Sequence, residues 1–469
     1  MPNPEEYDLV VLGSGEAGKY LGWTLAAQGR RAVVVERRYV GGSCPNIACL
    51  PSKNFIHSAE VASFLRRGKE FGVPAEEGPV DMAAVRARKR AMVAGLVDVH
   101  LGKYRASGAE LVMGQGRFIA PRTLEVMLND GGTRTLRGTN VVISTGSRAA
   151  VDATPGLRES APLTHVEALE LDRVPGHLIV LGGGFAGLEL AQAFRRFGSR
   201  VTVVERNAAL IALEDVDVST AMSELFADEG IAVSTGTVVE RVVGRSGHGV
   251  RLHCRRAGTE LVLEGTDLLV ASGRLPNTEG IGLEVAGVEL DERGIVRVNE
   301  RLQTTAPGVW AVGDCAGSPY FTHVALDDFR VVRDNLTGRN RVTTGRLVPF
   351  CLFTDPELAR VGMSEREAQQ RGVRYRLFKV PLSSVLRARA LGETRGFLKA
   401  LVEADGDRIL GFTAFGARAG EVMTAVEMTM VAGLPYTALR DAILTHPTMT
   451  EGLFPLFSAT PAQVEGSER

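Results

Sequence analysis

The sequence is poor in cysteine, in aromatic residues and in net charge. Five cysteines occur in 469 residues, and aromatic side chains make up 6% of the chain. A chain of this length buries a large core, so it needs no disulfide bridges to hold its fold together. The 54 basic and 55 acidic side chains give a net charge of −1. No overall field therefore favours nucleic acid, and we expect no nucleic-acid partner.

Long apolar runs are also missing, and the first residues do not predict a signal peptide. No stretch of about 18 apolar residues occurs, so we expect no membrane partner. The start, MPNPEEYDLVVLGSG, has acidic residues before a short apolar run and lacks the basic segment of a signal peptide. We therefore expect a cytoplasmic protein. In that reducing compartment a close pair of cysteines is more typical of catalysis or metal binding than of a structural bridge.

What the sequence does have is a repeat. The stretch YDLVVLGSGEAGKYLGWTLAAQGRRAVVVE predicts a strand, a glycine-rich turn, a helix and a second strand, and HLIVLGGGFAGLELAQAFRRFGSRVTVVE repeats that order. Each copy ends in an acid, Glu36 or Glu205, at the same distance from its first glycine. This is the fingerprint of a dinucleotide-binding fold. Two dinucleotides are expected, each with its pyrophosphate at a helix N-terminus and its ribose on the acid. The fingerprint glycines are Gly13, Gly15 and Gly18 in the first copy, and Gly182, Gly184 and Gly187 in the second.

A second motif, GGSCPNIACLPSKNFIH, contains Cys44 and Cys49, with Lys53 four positions further on. Pro51 lies in the first turn of a helix predicted to begin near Cys49. The helix N-terminus and Lys53 would both stabilise a thiolate at Cys49. Zinc is the alternative, but this spacing, with no second cysteine or histidine pair nearby, is poor for a metal site. We predict redox chemistry and no metal ligand.

The chain changes character from about Val342. GFLKALVE and RILGFTAFG flank the turn ADGD as a predicted hairpin, and EVMTAVEMTMVAG has apolar residues at helical spacing. Mixed helix and hairpin signals predict an α+β unit. Earlier in the chain, the basic stretch RARKR, Arg86 to Arg90, predicts a solvated helix face and not a nucleic-acid site.

Taken in order, these motifs resemble those of the flavoprotein disulfide reductases, the family of glutathione reductase, lipoamide dehydrogenase and mercuric reductase. The resemblance extends to STGSR at Ser144, ASGRLPNT at Ala271, GD at Gly313 and HPTMTE at His446. It implies an α/β fold with two Rossmann-like dinucleotide-binding domains, for FAD and for NAD(P), and an α+β C-terminal dimerisation domain. The implied boundaries are 1–148 and 275–342 for the two parts of the FAD domain, 149–274 for the NAD(P) domain and 343–469 for the interface domain.

The resemblance also implies roles for the redox residues. It places Cys49 beside the flavin and makes Cys44 the thiol that meets the acceptor. Lys53 would pair with Glu189 near the flavin, and Phe185 would shield the nicotinamide pocket.

The implied acid–base dyad is His446 with Glu451, which reaches the cysteines of the partner subunit in a homodimer that shares its active sites. Glu36 is assigned to the adenosine ribose of FAD, Glu205 to the nicotinamide nucleotide and Asp314 to the flavin side. The remaining predicted cofactor-binding residues are the six fingerprint glycines, Gly42, Ser43, Thr145, Gly146, Gly273, Arg274 and Gly313, together with Lys53, Phe185 and Glu189.

We therefore predict an enzyme that passes electrons from NADH through FAD to the Cys44–Cys49 disulfide and on to a small acceptor. NADPH is expected to be accepted less well, because a carboxylate at Glu205 repels a 2′-phosphate while Arg206 beside it partly offsets this. The stretches FTHVALDDFRVVRDNLTG and GLPYTALRDAILTHPTMTE resemble a mercuric-reductase-like branch of the family, the reactive-chlorine-resistance copper(II) reductases. That branch favours copper(II) as acceptor.

Three alternatives stay open at this point. Two are enzymes, a dihydrolipoamide dehydrogenase and a mercury(II) reductase, and the third is a flavin-bearing redox sensor or scaffold. The final stretch, PAQVEGSER, lacks the cysteine pair with which mercuric reductases pass metal inward, which argues against mercury.

Overall fold

The structure is a computed structural model that describes residues 3–73 and 78–464. The two terminal stretches interpreted above, at the start and at PAQVEGSER, therefore lie partly outside the described residues. In the first part of the chain the elements are β1 (Glu5–Leu12), α1 (Glu16–Ala27), β2 (Ala32–Glu36), α2 (Ser43–Asn46), α3 (Cys49–Arg66), α4 (Met82–Ser107), β3 (Glu110–Ala120), β4 (Thr123–Leu128), β5 (Thr133–Ile143) and β6 (Ser147–Ala149).

The first sheet brings the glycine-rich turn to one edge. β1 lies parallel to both β2 and β5, and β4 joins β3 to β5 in antiparallel pairs. β2, with the sequence AVVVE, is buried on both faces, as a parallel strand covered by helices must be. Leu12 pairs with Ile143, so the turns that follow β1 and β5 meet at the same carboxyl edge. Ligands of such sheets bind at this edge.

The next elements repeat the strand, turn and helix order, as predicted. They are α5 (His165–Ala168), β7 (His177–Leu181), α6 (Phe185–Phe197), β8 (Arg200–Val204), α7 (Val216–Asp228), β9 (Ala232–Ser234), β10 (Thr237–Arg245), β11 (Gly249–Arg256), β12 (Thr259–Gly265), β13 (Asp267–Val270) and β14 (Arg274–Pro276). β13, β7, β8 and β9 form a parallel sheet, and β10, β11 and β12 form an antiparallel one. β14 pairs with β6.

The chain then returns to the first sheet. β15 (Val309–Ala311) lies parallel to β5, and α8 (Thr322–Leu336) packs on α1 through Tyr20 and Phe329, whose ring centroids are 5.5 Å apart. The sheet that begins with β1 is thus completed by β15, which follows the second copy of the repeat. Below, the first nucleotide unit means the part built on this sheet, and the second nucleotide unit means the part that contains β7 to β13. Short 3-10 helices occupy Gly68–Phe71, Gly313–Ala316, Leu382–Ser384 and Thr450–Gly452.

The last part of the chain forms an antiparallel sheet with helices on it. Its elements are β16 (Phe350–Leu352), β17 (Glu357–Gly362), α9 (Glu365–Gln370), β18 (Tyr375–Pro381), α10 (Leu386–Leu391), β19 (Phe397–Glu403), β20 (Ile409–Gly416), α11 (Ala419–Val431), α12 (Thr437–Arg440), α13 (Leu453–Ser458) and β21 (Ala462–Val464). The strand order is β16, β17, β20, β19, β18 and β21, and the predicted hairpin is the β19–β20 pair. The α/β class with an α+β C-terminal unit is confirmed.

A buried lysine ties this last unit to the second nucleotide unit. Lys399 on β19 is completely buried, and its Nζ lies 2.7 Å from Asp215, 2.8 Å from Asp217 and 2.8 Å from Glu365. Burial disfavours the charged form, but hydrogen bonds to these three carboxylates outweigh it and raise the pKa of Lys399. The lysine therefore holds the three carboxylates together as an internal cation.

The basic stretch RARKR lies on α4, and the prediction of a solvated face is wrong for Lys89. This side chain is 2% exposed, and its Nζ donates to the carbonyl of Leu169 at 2.7 Å and to the carboxylate of Glu170. Arg86 and Arg90 also pair with acids of this segment. The stretch thus joins α4 to the chain after α5. Of the helices that the structure describes, none is long and apolar enough to cross a bilayer.

Candidate active site

The two neighbouring cysteines lie on consecutive helices. Cys44 lies in the single-turn helix α2, and Cys49 is the first residue of α3. Both are half-buried free thiols. Because Cys49 opens α3, its thiol lies in the first turn, at the positive end of the helix dipole, and Pro51 occupies the same turn as predicted.

The pair carries its charge unequally. A hydrogen bond from Cys44, a contact of 3.2 Å with the Thr322 hydroxyl and the charge of Lys53 lower the pKa of Cys49 to about 6, although burial opposes them. Cys44 donates a hydrogen bond to Cys49, and this bond together with burial raises the pKa of Cys44. The negative charge therefore lies on Cys49 and the proton on Cys44, the arrangement that an activated thiolate needs.

Lys53 is held by Glu189 from the second fingerprint helix. The Lys53 Nζ lies 2.7 Å from one carboxylate oxygen of Glu189, and the backbone N–H of Phe353 donates to the other at 2.9 Å. Lys53 also lies 4.7 Å above the ring centroid of Phe353. The predicted pair is thus formed between α3 and α6, and Phe353 orients both members.

The first glycine-rich turn approaches its neighbours too closely for any side chain. A Cβ on Gly13 would lie 2.3 Å from the carbonyl oxygen of Ser144, and one on Gly18 would lie 2.3 Å from that of Gly13. Glu36 accepts hydrogen bonds from the N–H and hydroxyl of Ser14 at 2.9 and 2.7 Å. The turn is therefore held against the acid that ends β2.

The second turn repeats this geometry. A Cβ on Gly187 would lie 2.1 Å from the carbonyl oxygen of Gly182, and Gly183 N–H donates to Glu205 at 2.6 Å. Asn207 donates to Glu205 from its backbone and from its side chain, at 2.7 and 2.6 Å. Sequence reasoning missed Asn207, which orients the carboxylate expected to bind ribose.

Two cavities lie next to the first glycine-rich turn. One, of about 310 Å³, is lined by Gly13, Glu36 and Thr145, among others. The other, of about 770 Å³, brings together most of the predicted site. It is lined by Gly15, Ser43, Cys44, Cys49, Lys53, Gly146, Phe185, Glu189, Arg274, Gly313 and Asp314, among others.

These cavities fit a dinucleotide such as FAD. The buried hydroxyl of Thr145 and the buried Nε2 of His165 have no hydrogen-bond partner within residues 3–73 and 78–464, and both residues line these cavities. Buried polar atoms without a partner are rare, and a bound polar ligand satisfies them. Two further predicted glycines flank the turns: Gly42 contacts Gly15, and Gly273 directly precedes Arg274.

Asp314 is positioned by a short chain of hydrogen bonds. The Ser147 hydroxyl donates to its carboxylate, and Arg274 Nε donates to that hydroxyl at 2.7 Å while lying 3.7 Å from the carboxylate. The motifs STGSR, ASGRLPNT and GD therefore meet in space, although they are far apart in sequence.

Aromatic rings that the motifs did not identify line the same cavity. Phe185 lies 5.1 Å from Phe350 and 6.4 Å from Phe321 between ring centroids, and Phe321 and Phe350 are parallel to within 4°. A third thiol, Cys351, lines this wall. Phe321 directly precedes α8, Phe350 and Cys351 lie in β16, and no local spacing indicates these three as site residues.

The predicted dyad forms, but away from the cysteines. His446 Nδ1 lies 2.8 Å from Glu451, and the imidazole is 66% exposed. Neither residue is among the described residues that line the larger cavity. Within one chain the dyad therefore does not meet Cys44.

The sequence matches two family models. Residues 7–328 match the pyridine nucleotide-disulphide oxidoreductase model, and residues 348–455 match the dimerisation domain model of the same family. The match to the dimerisation model covers most of the antiparallel unit described above.

Curated relatives cover nearly the whole chain. The probable pyridine nucleotide-disulfide oxidoreductase RclA of Escherichia coli K12 is 35% identical over 97% of this chain and 99% of its own. A mercuric reductase of Streptomyces lividans is 35% identical, covering 95% and 94%. A dihydrolipoyl dehydrogenase of Thermus scotoductus is 34% identical, covering 95% and 96%. The solved Cu(II) complex of HOCl-induced flavoprotein disulfide reductase RclA superposes with a TM-score of 0.88, covering 97% of this chain and 99% of that one at 35% identity.

Proposed function

Because the chain belongs to the pyridine nucleotide-disulphide oxidoreductase family, whose members use FAD and NAD(P)H, we propose that its electrons pass through the Cys44–Cys49 pair to a small acceptor. The observation that carries this relay is the placement of the pair: Cys44 in α2 precedes Cys49 at the start of α3, with the Thr322 hydroxyl 3.2 Å from the Cys49 sulfur and Lys53 one turn further along α3. The Cys49 thiolate accepts hydrogen bonds from the Cys44 thiol and from Thr322. Bound FAD supplies the hydride chemistry that links a nicotinamide to the disulfide.

The residues around the two cysteines stabilise the charge that forms when the disulfide is reduced. Reduction of the disulfide takes two electrons and breaks the S–S bond, leaving a thiolate on Cys49 and a proton on Cys44. Lys53 stabilises that thiolate, and Glu189 fixes Lys53 at 2.7 Å. Cys44 then meets the acceptor, and the S–S bond reforms as two electrons leave.

We propose copper(II) as the acceptor. Thiolates bind copper well, and two copper(II) ions take the two electrons of one dithiol to give two copper(I) ions. Support comes from the similarity to RclA, whose solved structure is described as a Cu(II) complex. The relatives named as mercuric reductase and dihydrolipoyl dehydrogenase define the competing acceptors.

An anaerobic assay of NADH oxidation separates these acceptors. The purified enzyme is given copper(II), mercury(II), lipoamide or glutathione disulfide in parallel, with Cys44→Ser as the control that removes the interchange thiol. We expect copper(II) to support turnover that Cys44→Ser loses. Turnover with lipoamide or glutathione disulfide that is orders of magnitude faster would contradict a metal acceptor and leave the dithiol relay intact.

A dihydrolipoamide dehydrogenase is the second candidate. The His446–Glu451 contact of 2.8 Å favours it, because a glutamate-oriented imidazole suits proton exchange with a thiol of a disulfide substrate. Rapid reduction of lipoamide in the same assay, abolished by His446→Gln, would establish this function.

NADH is proposed as the preferred donor. Glu205 is buried directly after β8 and held by Gly183 and Asn207, so its carboxylate would accept from a ribose diol and repel a 2′-phosphate. The exposed Arg206 reduces this preference. Equal kcat/KM values for NADH and NADPH would contradict it.

A nicotinamide donor and reduced thiols coexist in the cytoplasm, where we propose that the reaction occurs.

A homodimer with shared active sites is proposed from the C-terminal unit. This unit matches the family's dimerisation domain and exposes large apolar side chains. They include Met428, Val431, Leu434, Ile443 and Phe454. A second copy would bury them and bring His446 to the cysteines of its partner.

A further inference from the structure

Two glycines bring the first turns of α1 and α2 together. Gly15 directly precedes α1, Gly42 directly precedes α2, and a Cβ on Gly42 would lie 2.6 Å from the Cα of Gly15. The residues that follow are therefore neighbours. Glu16 is the first residue of α1, Cys44 is the second of α2, and both line the larger cavity.

An ion pair with Lys19 holds the Glu16 carboxylate in this position. Its side chain is 15% exposed and lies 2.7 Å from the Nζ of Lys19, which is 5% exposed. Lys19 also donates to the carbonyl of Gly41 at 3.4 Å and lies 3.3 Å from Nε2 of His100. The ion pair therefore anchors the Glu16 carboxylate in the cavity that Cys44 also lines.

Opposite charges thus face the two cysteines. The ammonium of Lys53 and the hydroxyl of Thr322 favour a thiolate on Cys49. After the hydrogen bond to Cys49 and burial, the negative charge of Glu16 further raises the pKa of Cys44, against the effect of Thr322. The groups that face Cys44 are therefore Cys49 from α3, Thr322 from α8 and Glu16 from α1.

We propose that Glu16 is a positioning residue of the redox pair: its carboxylate keeps the proton of the reduced pair on Cys44, so that the charge lies on Cys49. This inference rests on the dithiol relay proposed above and deepens it. Glu16 acts through Cys44. Any neutral residue at position 16 would let the charge spread towards Cys44.

Alkylation of the reduced holoenzyme tests this directly. Iodoacetamide reacts with thiolates, and peptide mass spectrometry reports the rate at each cysteine across a range of pH. At about pH 8, Glu16→Gln should speed alkylation of Cys44 about threefold, the effect of about half a pKa unit. Glu421→Gln, which neutralises a carboxylate lining the same cavity from α11, is the matched control and should leave the rate unchanged.

Lys19→Met separates charge from structure. It breaks the same ion pair but leaves the carboxylate unneutralised, so alkylation of Cys44 should become slower than in the wild type. Flavin content and the thermal midpoint of unfolding identify any variant that has failed to fold. Glu16→Asp keeps the negative charge and should retain the wild-type rate of Cys44 alkylation. If Glu16→Gln and Lys19→Met change the rate in the same direction, the pair has a structural role and the inference is wrong.

An unchanged rate in Glu16→Gln would also overturn the inference, while the relay would stand. The relay itself fails in a different way. If the pH midpoint of alkylation in the wild type were lower at Cys44 than at Cys49, the roles of the two cysteines would be reversed, and Glu16 could not have the effect proposed here.

Discussion

At the scale of single residues, the unequal pair makes a spectroscopic prediction. Cys44→Ser should keep the long-wavelength absorbance of oxidised flavin beside the Cys49 thiolate, whereas Cys49→Ser should lose it. A thiol is charged only above its pKa, so in the two-electron-reduced wild type, where Cys44 still donates its hydrogen bond, this absorbance should halve near the lowered pKa of Cys49 of about 6 and vanish at lower pH. Thr322→Val removes a hydrogen bond to the thiolate and should move that midpoint upward. Equal spectra from the two cysteine variants would contradict the assigned roles.

At the scale of elements, the position of Cys49 depends on how α3 packs on α6. The ring centroid of Phe55 lies 5.2 Å from that of Phe194 and 4.9 Å from that of Phe197, and Phe194 is completely buried. Phe194→Ala should lower the free energy of unfolding by about 3 kcal/mol, as expected for a large cavity. A urea titration followed by circular dichroism measures the loss. Val238→Ala, at a side chain 54% exposed, is the control and should change it by less than about 0.5 kcal/mol.

At the scale of the whole molecule, the distance between the exposed dyad and the cavity predicts complementation between subunits. Cys44→Ser and His446→Gln chains should each be inactive alone as homodimers. When equal amounts are unfolded and refolded together, half of the dimers should be hybrids with one intact site, giving about a quarter of wild-type activity. Sedimentation confirms that dimers have formed. A mixture as inactive as its components would show that His446 does not serve the partner's Cys44.

The sequence predicted those parts of the site that lie within contiguous motifs. Glycine spacing and a strand-ending acid determine a local turn, so the geometry around Gly13 and Gly182 followed from the pattern. Thr322 and Phe353 could not be found in this way, because only the packing of α8 and of the segment after β16 brings them to Cys49 and Lys53. Lys89 was misread for a similar reason, since the carbonyl and carboxylate that bury it come from another part of the chain. The domain boundaries and the roles of individual site residues stay predictions.

The buried Lys399 has a consequence for exchanging parts between relatives. Its partners Asp215 and Asp217 belong to the second nucleotide unit, whereas Lys399 and Glu365 belong to the antiparallel unit. A chimera that takes only its nucleotide segment from a homologue lacking these acids would leave a buried ammonium with one carboxylate in place of three. Such a charge is costly to keep without its partners. Modular redesign of nucleotide preference should therefore transplant Asp215 and Asp217 with the segment, or replace Lys399 with an apolar residue at the same time.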